Sequence, residues 1–329
     1  MKRSVWRQPG FLLGSFFLIL MVTASFVHAL VFDSYIPQTP FLNLEDGVVG
    51  PPFAPFEHSI LGTDADGVHL FHQILQGAKY TILGSLSIAG ISFLLALLVG
   101  IPLGFYRKGA AKWVEHTISV LYFVPASIIA YQLLNPLMQE RMSGFATSLT
   151  YRLTAEVLVI ALLLTPPAAV FIANLTGEFL KKDYVVSSQL IGAGKWRITR
   201  TQLFPYLKNH ILGLLNRQAI QAILVMTHLG VFEVYFGGTG VAFGLGGGPP
   251  QPVTNEWASL IGMKYYTIQT GAPWLVGVPL LFLCLFLLSV IGITGSLKKT
   301  RKEEVRKKEE NNEFNQEVDH PFEKVSGDQ

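Results

Sequence analysis

The sequence predicts an all-α integral membrane protein with six transmembrane helices and both termini on the cytoplasmic side. Three observations predict it. Half of the 329 residues are hydrophobic and only 14% are charged, whereas a soluble chain carries about a quarter charged residues. Six segments are apolar over the roughly 20 residues that a bilayer crossing needs. The Lys and Arg residues gather in alternate connecting segments, which sets the orientation.

The six segments are 9–32, 80–106, 115–138, 155–180, 209–234 and 272–297. The first follows Lys2, Arg3 and Arg7, as a signal peptide would. Its apolar part exceeds the usual 7–15 residues, so it reads as an uncleaved anchor. Asn174 interrupts the fourth segment and Asn216, Arg217 and Gln218 the fifth. With the N-terminus inside, the cytoplasmic pieces hold Lys2, Arg3, Arg7, Arg107, Lys108, Lys112, Lys181, Lys182, Lys195, Arg197, Arg200, Lys208 and the basic start of the tail. The exterior holds Lys79, Arg141, Arg152 and Lys264, and Arg217 falls within a span. The expected organisation is therefore a cytoplasmic N-terminus with the first helix (1–32), an external loop with an interfacial helix (33–79), a five-helix core (80–297) containing a cytoplasmic loop (181–208), and a cytoplasmic tail (298–329). The tail is expected to be disordered after a turn or two, since its charges cannot bury a core.

Several chemistries are disfavoured. Cys284 is the single cysteine, so one chain can form neither a disulfide nor a thiolate metal site. A net charge of +3 is no footprint for nucleic acid. His69 and His72 stand one turn apart, but as interfacial polar residues rather than metal ligands. The glycine-rich stretch 237–248 has no strand before it and no Lys-Ser or Lys-Thr after it. Around Gly192 and Gly194, Trp196 occupies the Ser/Thr place of a P-loop and Gln189 its upstream Gly place. The chain thus has no ATP site of that kind, and no cofactor is expected. Glu115, Glu156 and Glu178 lie near helix ends, and no span pairs a nucleophile with carboxylates at one depth, so the chain does not read as an enzyme.

The external loop begins with Pro37, Pro40, Pro51, Pro52 and Pro55 and cannot be helical throughout. Towards its end Val68, Phe71, Ile74, Leu75 and Ala78 recur at helical spacing, with Gln73 and Gln76 opposite, as in a helix lying on the outer interface. In the second span Ser92, Ala96, Gly100 and Gly104 recur every four residues, a face that lets helix backbones approach closely. Pro102, Pro125, Pro166 and Pro167 interrupt spans two to four and free carbonyls that protein or water must satisfy. The fifth span carries Asn216, Arg217, Gln218, Gln221, Thr227 and His228. Gln218, Gln221 and His228 are candidate pathway-lining residues. An Arg in a span costs about 2.5–3.5 kcal/mol on insertion scales, and Arg217 either snorkels or lines a pathway.

Between the fourth and fifth spans, 183–205 is polar and basic. A short helical run to Gly192 and a second run stopped by Pro205 form a helix-turn-helix that can dock on a partner.

In these positions the chain resembles the second (C-type) permease subunit of bacterial ABC importers for oligopeptides, dipeptides and nickel. Leu61-Gly62-Thr63-Asp64 matches that family's external Leu-Gly-Thr-Asp motif, and Gly77-Ala78-Lys79 its Gly-Ala-Arg. Val99-Gly100-Ile101-Pro102-Leu103-Gly104, Pro125, Tyr184-Val185, Gly192 and Pro205 follow in order. Pro249-Pro250-Gln251-Pro252, Glu256-Trp257-Ala258 and Ala272-Pro273-Trp274 close the series. The resemblance implies the type I importer permease fold in a bacterial cell membrane. It implies a heterodimer with a second permease subunit, cytoplasmic ATPase subunits that hydrolyse ATP, an extracellular substrate-binding protein, and membrane lipid around the spans. It also implies that 183–205 couples to the ATPase through Tyr184, Val186, Ser187, Ser188, Gly192 and Pro205, while the chain forms half of a pathway for peptides or a related small solute. Four places depart from the family, one being the external loop around 237–248, which is longer than usual. Val186-Ser187-Ser188 replaces Glu-Ala-Ala, Gly67-Val68-His69 replaces Gly-Arg-Asp, and Ala173 and Thr176 stand at two common arginines. These departures carry the alternative expectation of a non-transporting sensor or regulator on a permease scaffold.

Overall fold

In the computed structural model, residues 6, 8–44, 47–106, 124–243 and 248–319 are described, and they are mostly helical. The helices are α1 (Pro9–Val31), α2 (Leu70–Phe105), α3 (Ala126–Met138), α4 (Leu149–Phe179), α5 (Asp183–Leu190), α6 (Lys195–Ile198), α7 (Phe204–Val231), α8 (Trp257–Lys264) and α9 (Trp274–Asp319). Two antiparallel ribbons join Leu42–Leu44 to Gly47–Val49 and Thr239–Gly240 to Gln251–Pro252. Local chemistry sets several boundaries. Pro9 opens α1, where its missing N–H costs nothing. Ser148 Oγ caps α4 by accepting from the Tyr151 N–H, and the Glu256 carboxylate caps α8 by accepting from the Ala258 and Ser259 N–H groups.

Among the described residues, four helices have the length and composition to cross a membrane: Pro9–Val31, Leu70–Phe105, Leu149–Phe179 and Trp274–Arg301. Of the expected third span, 115–123 lies outside the described residues, and α3 is its 13-residue remainder. Helix α7 has 28 residues but is diluted by Asn216, Arg217, Gln218 and Gln221. Arg107, Lys108 and Lys112, the N-terminal Lys2, Arg3 and Arg7, and residues 244–247 of the glycine-rich loop also lie outside.

Two helices run further than the sequence suggested. The interfacial helix expected before residue 80 is the first part of α2, continuous to Phe105. Leu70, Gln73, Ile74 and Ala78 are all buried, so this stretch packs into protein and not onto an interface. No glycine or proline in it forces a break, because Gly77 lies against the Asn255 carbonyl, where a Cβ would collide. The second is α9, which continues past Lys298 to Asp319, where disorder was expected. Glu303 and Glu304 stand four residues before Lys307 and Lys308, a spacing that supports helix in a run of strong helix formers.

Helix α2 is the centre of the bundle. Its small face packs on α4: a Cβ on Gly100 would fall 2.6 Å from the Ala169 carbonyl oxygen, and one on Gly104 would fall 2.5 Å from Thr176 Cβ. Ser92 and Ala96 are buried on the same face. Close backbone approach of this kind substitutes for the hydrophobic drive that lipid removes. Ala173 and Thr176 are buried in this seam, which leaves no room for arginine there. On the other side α1 lies along α9, with Gly14 against Ser289 and Gly10 against Gly292.

Candidate functional site

A cavity of about 360 Å³ opens between α3, α4 and α7. Pro125 and Ile129 line it from the α3 side, Leu162, Leu163, Pro166, Pro167 and Phe171 from α4, and Leu214, Arg217, Gln218 and Gln221 from α7. Its wall is mostly apolar, and Arg217, Gln218 and Gln221 are its polar side chains. Pro166 and Pro167 have no N–H to offer the carbonyls of Leu162 and Leu163 four residues earlier, and both leucines form the wall. Helix α4 nonetheless stays continuous. Gln218 is buried and braces the cavity, its Nε2 donating to Ser92 Oγ at 2.5 Å and to the Leu164 carbonyl oxygen at 3.2 Å. The Arg217 guanidinium carbon lies 6.0 Å from the centre of the Phe171 ring. His228 is exposed and does not line this cavity. It sits nearly three turns further along α7.

At one end of the bundle α5, α6 and the start of α7 form a projecting loop. Val185, Ile198, Leu203 and Leu207 are buried with Phe179 beneath it, and Lys195 Nζ lies 3.9 Å from the Tyr106 ring centre at the end of α2. The turn after α5 is a Schellman motif: the Ala193 N–H donates to the Ser188 carbonyl and the Gly192 N–H to the Gln189 carbonyl, both at 3.0 Å. This turn needs a left-handed residue, and Gly192 has φ +92°. Ser187 and Ser188 turn their hydroxyls back to the Asp183 and Tyr184 carbonyls. Ser188 Oγ also accepts from Gln202 Nε2 at 2.9 Å, so it braces the two arms of the loop. Tyr184 and Val186 face outward, and beyond them Leu190, Ile191 and Trp196 are 83%, 88% and 76% exposed.

Pro205 does not stop the second run. It is the second residue of α7, and the chain enters that helix through a π turn, Thr199–Leu203. The Phe204 N–H donates to the Thr199 carbonyl, five residues back. A wider turn here accommodates the proline ring and its absent donor without breaking the helix.

The opposite end of the bundle is held by groups that the sequence did not bring together. Lys264 Nζ donates to Asp64 Oδ2 at 2.9 Å and to Gln73 Oε1 at 2.8 Å. Asp64 Oδ1 accepts from the Asp66 and Val68 N–H groups. Burial pushes the Lys264 ammonium below its ordinary value, and Asp64 opposes that shift. Arg152 and Glu156 belong to the first turns of α4, where Arg152 Nε donates to the Gly237 carbonyl at 2.7 Å and the Glu156 carboxylate accepts from the Gly237 N–H at 2.9 Å. Burial also raises the Glu256 carboxyl, against the Ala258 and Ser259 amides that lower it. His69 and His72 turn to different partners: His69 Nε2 lies 2.8 Å from Thr39 Oγ1, and His72 Nδ1 lies 3.1 Å from His28 Nε2. Burial lowers the His69 imidazole below its usual value. Nothing local in the sequence joins Asp64, Gln73 and Lys264, since they come from a loop and two helices, with Lys264 distant in sequence from the other two.

No family model matches the chain. It is 25% identical over 291 residues to the di/tripeptide transport system permease protein DppC of Pseudomonas aeruginosa, covering 88% of this chain and 86% of that protein. It is 24% identical over 220 residues to the peptide transport system permease protein SapC of Escherichia coli, covering 67% of this chain and 65% of that protein. The curated relatives are thus permease subunits of peptide transport systems, at moderate identity over most of the chain.

Proposed function

We propose that this chain is one of two membrane-spanning subunits of an ATP-driven peptide importer, and that it pairs with a second permease subunit in a bacterial cell membrane. In this reading α3 with the residues before it and α7 complete a set of six spans with both termini inside. The loop carrying Gly192 then faces the cytoplasm, and the end held by Asp64 and Lys264 faces out. The observation that carries the reading is the placement of a cavity between α3, α4 and α7 with Arg217, Gln218 and Gln221 in an otherwise apolar wall, where α4 and α7 lead directly into the loop that exposes Leu190, Ile191 and Trp196.

The mechanism follows from that connection. Leu190, Ile191 and Trp196 each expose apolar area on an otherwise polar loop, and exposed apolar surface of this kind marks an interaction site. An ATPase subunit seated there would move α5 as it closes on ATP. The buried cluster of Val185, Ile198, Leu203 and Leu207 ties α5 to the start of α7, so the displacement reaches α7 as a rigid lever. The cavity wall formed by Arg217, Gln218 and Gln221 lies on that lever. Rocking of α7 against α4 would open the cavity alternately to each side, with substrate delivered by an extracellular binding protein.

The test is co-purification with the ATPase subunits and peptide-stimulated ATP hydrolysis in the reconstituted complex. Leu190→Asp with Ile191→Asp should abolish both while leaving the membrane bundle folded. A regulator on the same scaffold would retain the ATPase without any response to peptide, and that outcome would overturn the transport reading. The naming of the relatives as transport permeases favours transport.

A further inference from the structure

Arg217 is the one charged side chain among the described residues that line the cavity. It stands well inside α7, since about 20 Å of helix separates it from Phe204 at 1.5 Å per residue. Its guanidinium lies over the ring of Phe171 on α4, nearer the loop end than Leu164, where the neighbouring Gln218 meets α4. Among the described residues the ion pair present is Lys264–Asp64, and no described carboxylate lies within ion-pair distance of Arg217. A cation placed inside a span costs several kcal/mol unless it faces water or an anion. Gln221, one turn along on the same face and also at the wall, makes no hydrogen bond among the described residues. Gln218 differs, because its amide is engaged by Ser92 and Leu164. On the facing wall stand Leu162 and Leu163, whose carbonyls have no i+4 donor because Pro166 and Pro167 lack the N–H.

We propose that Arg217 and Gln221 bind the carboxylate of a peptide in transit, with the Leu162 and Leu163 carbonyls accepting its N–H groups. A guanidinium offers paired donors in the planar geometry that a carboxylate matches. The carboxamide of Gln221 adds a donor at i+4 spacing. The cavity volume falls in the range of small-ligand sites, roughly 300–1,000 Å³. Acceptors on one wall and a cationic donor on the other suit a short chain with an amine and a carboxylate, and they disfavour a bare metal cation. The carboxylate can belong to the peptide terminus or to an acidic side chain.

This inference rests on the peptide-importer reading, and two measurements separate them. Uptake of labelled trialanine by the intact importer in proteoliposomes tests that reading. Saturation-transfer NMR of trialanine on the same complex in nanodiscs, without the binding protein, tests Arg217. Arg217→Gln should weaken trialanine binding about tenfold, and Arg217→Lys, which keeps the charge but not the fork, should recover only part of that loss. The C-terminal amide of trialanine should bind the wild type as weakly as trialanine binds Arg217→Gln, with no further loss in that variant. An amidated peptide carrying an internal Glu regains binding if the side-chain carboxylate serves. If it stays weak, the terminal carboxylate is the group bound. Should Arg217→Gln bind trialanine as the wild type does, or weaken acid and amide equally, the carboxylate assignment is wrong while peptide uptake can stand. Absence of any peptide uptake by the wild type overturns both.

Discussion

Lys264 Nζ lies 2.9 Å from Asp64 Oδ2, and the two side chains are 2% and 7% exposed. The pair joins the end of α8 to the loop before α2, with Gln73 as a third member. Removing one partner leaves the other charge buried and alone, which costs about 3–5 kcal/mol, whereas replacing both by apolar residues is often close to neutral. Asp64→Leu should therefore lower the unfolding temperature of the detergent-solubilised protein sharply. Adding Lys264→Met should recover most of the loss. Equal unfolding temperatures for wild type and Asp64→Leu would show that the pair is not structural.

The contact between His69 and Thr39 should depend on pH. Burial depresses the His69 imidazole below its usual 6.5, so its contribution to stability is fully present above pH 6.5. It is lost as pH falls through the lower folded-state value. Hydrogen exchange around Thr39, corrected for intrinsic rates, should accelerate on going from pH 7.5 to 5 in the wild type and stay level in His69→Gln. Identical profiles for the two proteins would remove His69 as the cause.

Gly104 meets Thr176 and the Ala173 carbonyl so closely that a side chain must push α2 from α4. Gly104→Val should destabilise by about 1–3 kcal/mol, the usual range for overpacking. Gly90, on the same helix with open space around it, is the control. If Gly90→Val costs as much as Gly104→Val, helix propensity and not the seam is responsible.

At Gly192 the constraint is backbone conformation alone. Its φ is +92° and an added Cβ would meet nothing within 4 Å. Alanine and leucine should thus strain the isolated chain equally, by about 1–2 kcal/mol. Any difference between them must come from a docked partner. Gly192→Leu should uncouple ATP hydrolysis from uptake while Gly192→Ala retains part of it. Full coupling in Gly192→Leu would place the docking contact elsewhere.

Much of this architecture is legible along the chain because it depends on local periodicity. The four-residue recurrence of Ser92, Ala96, Gly100 and Gly104 marks a packing face whatever its partner, and Gly192 marks a left-handed turn. Proline chemistry announces freed carbonyls at Leu162 and Leu163 without the fold. Where the local signal has two outcomes, sequence reading stops. Pro205 could end a helix or begin one, and the π turn before it became evident only in three dimensions. The residues before Tyr80 read as interfacial because half are apolar, but Gln73, on the side read as polar, is buried against Asp64 and Lys264.

By itself, then, the sequence determined a helical membrane chain, its basic loop and the small-residue seam, since each follows from composition or spacing within one element. Only the tertiary structure decided that Asp64 faces Lys264, that Gln218 reaches Ser92, and that Arg217 and Gln221 share a cavity while His228 lies outside it. Those relationships join elements distant in sequence, and no local propensity specifies which of several polar side chains will meet when helices pack.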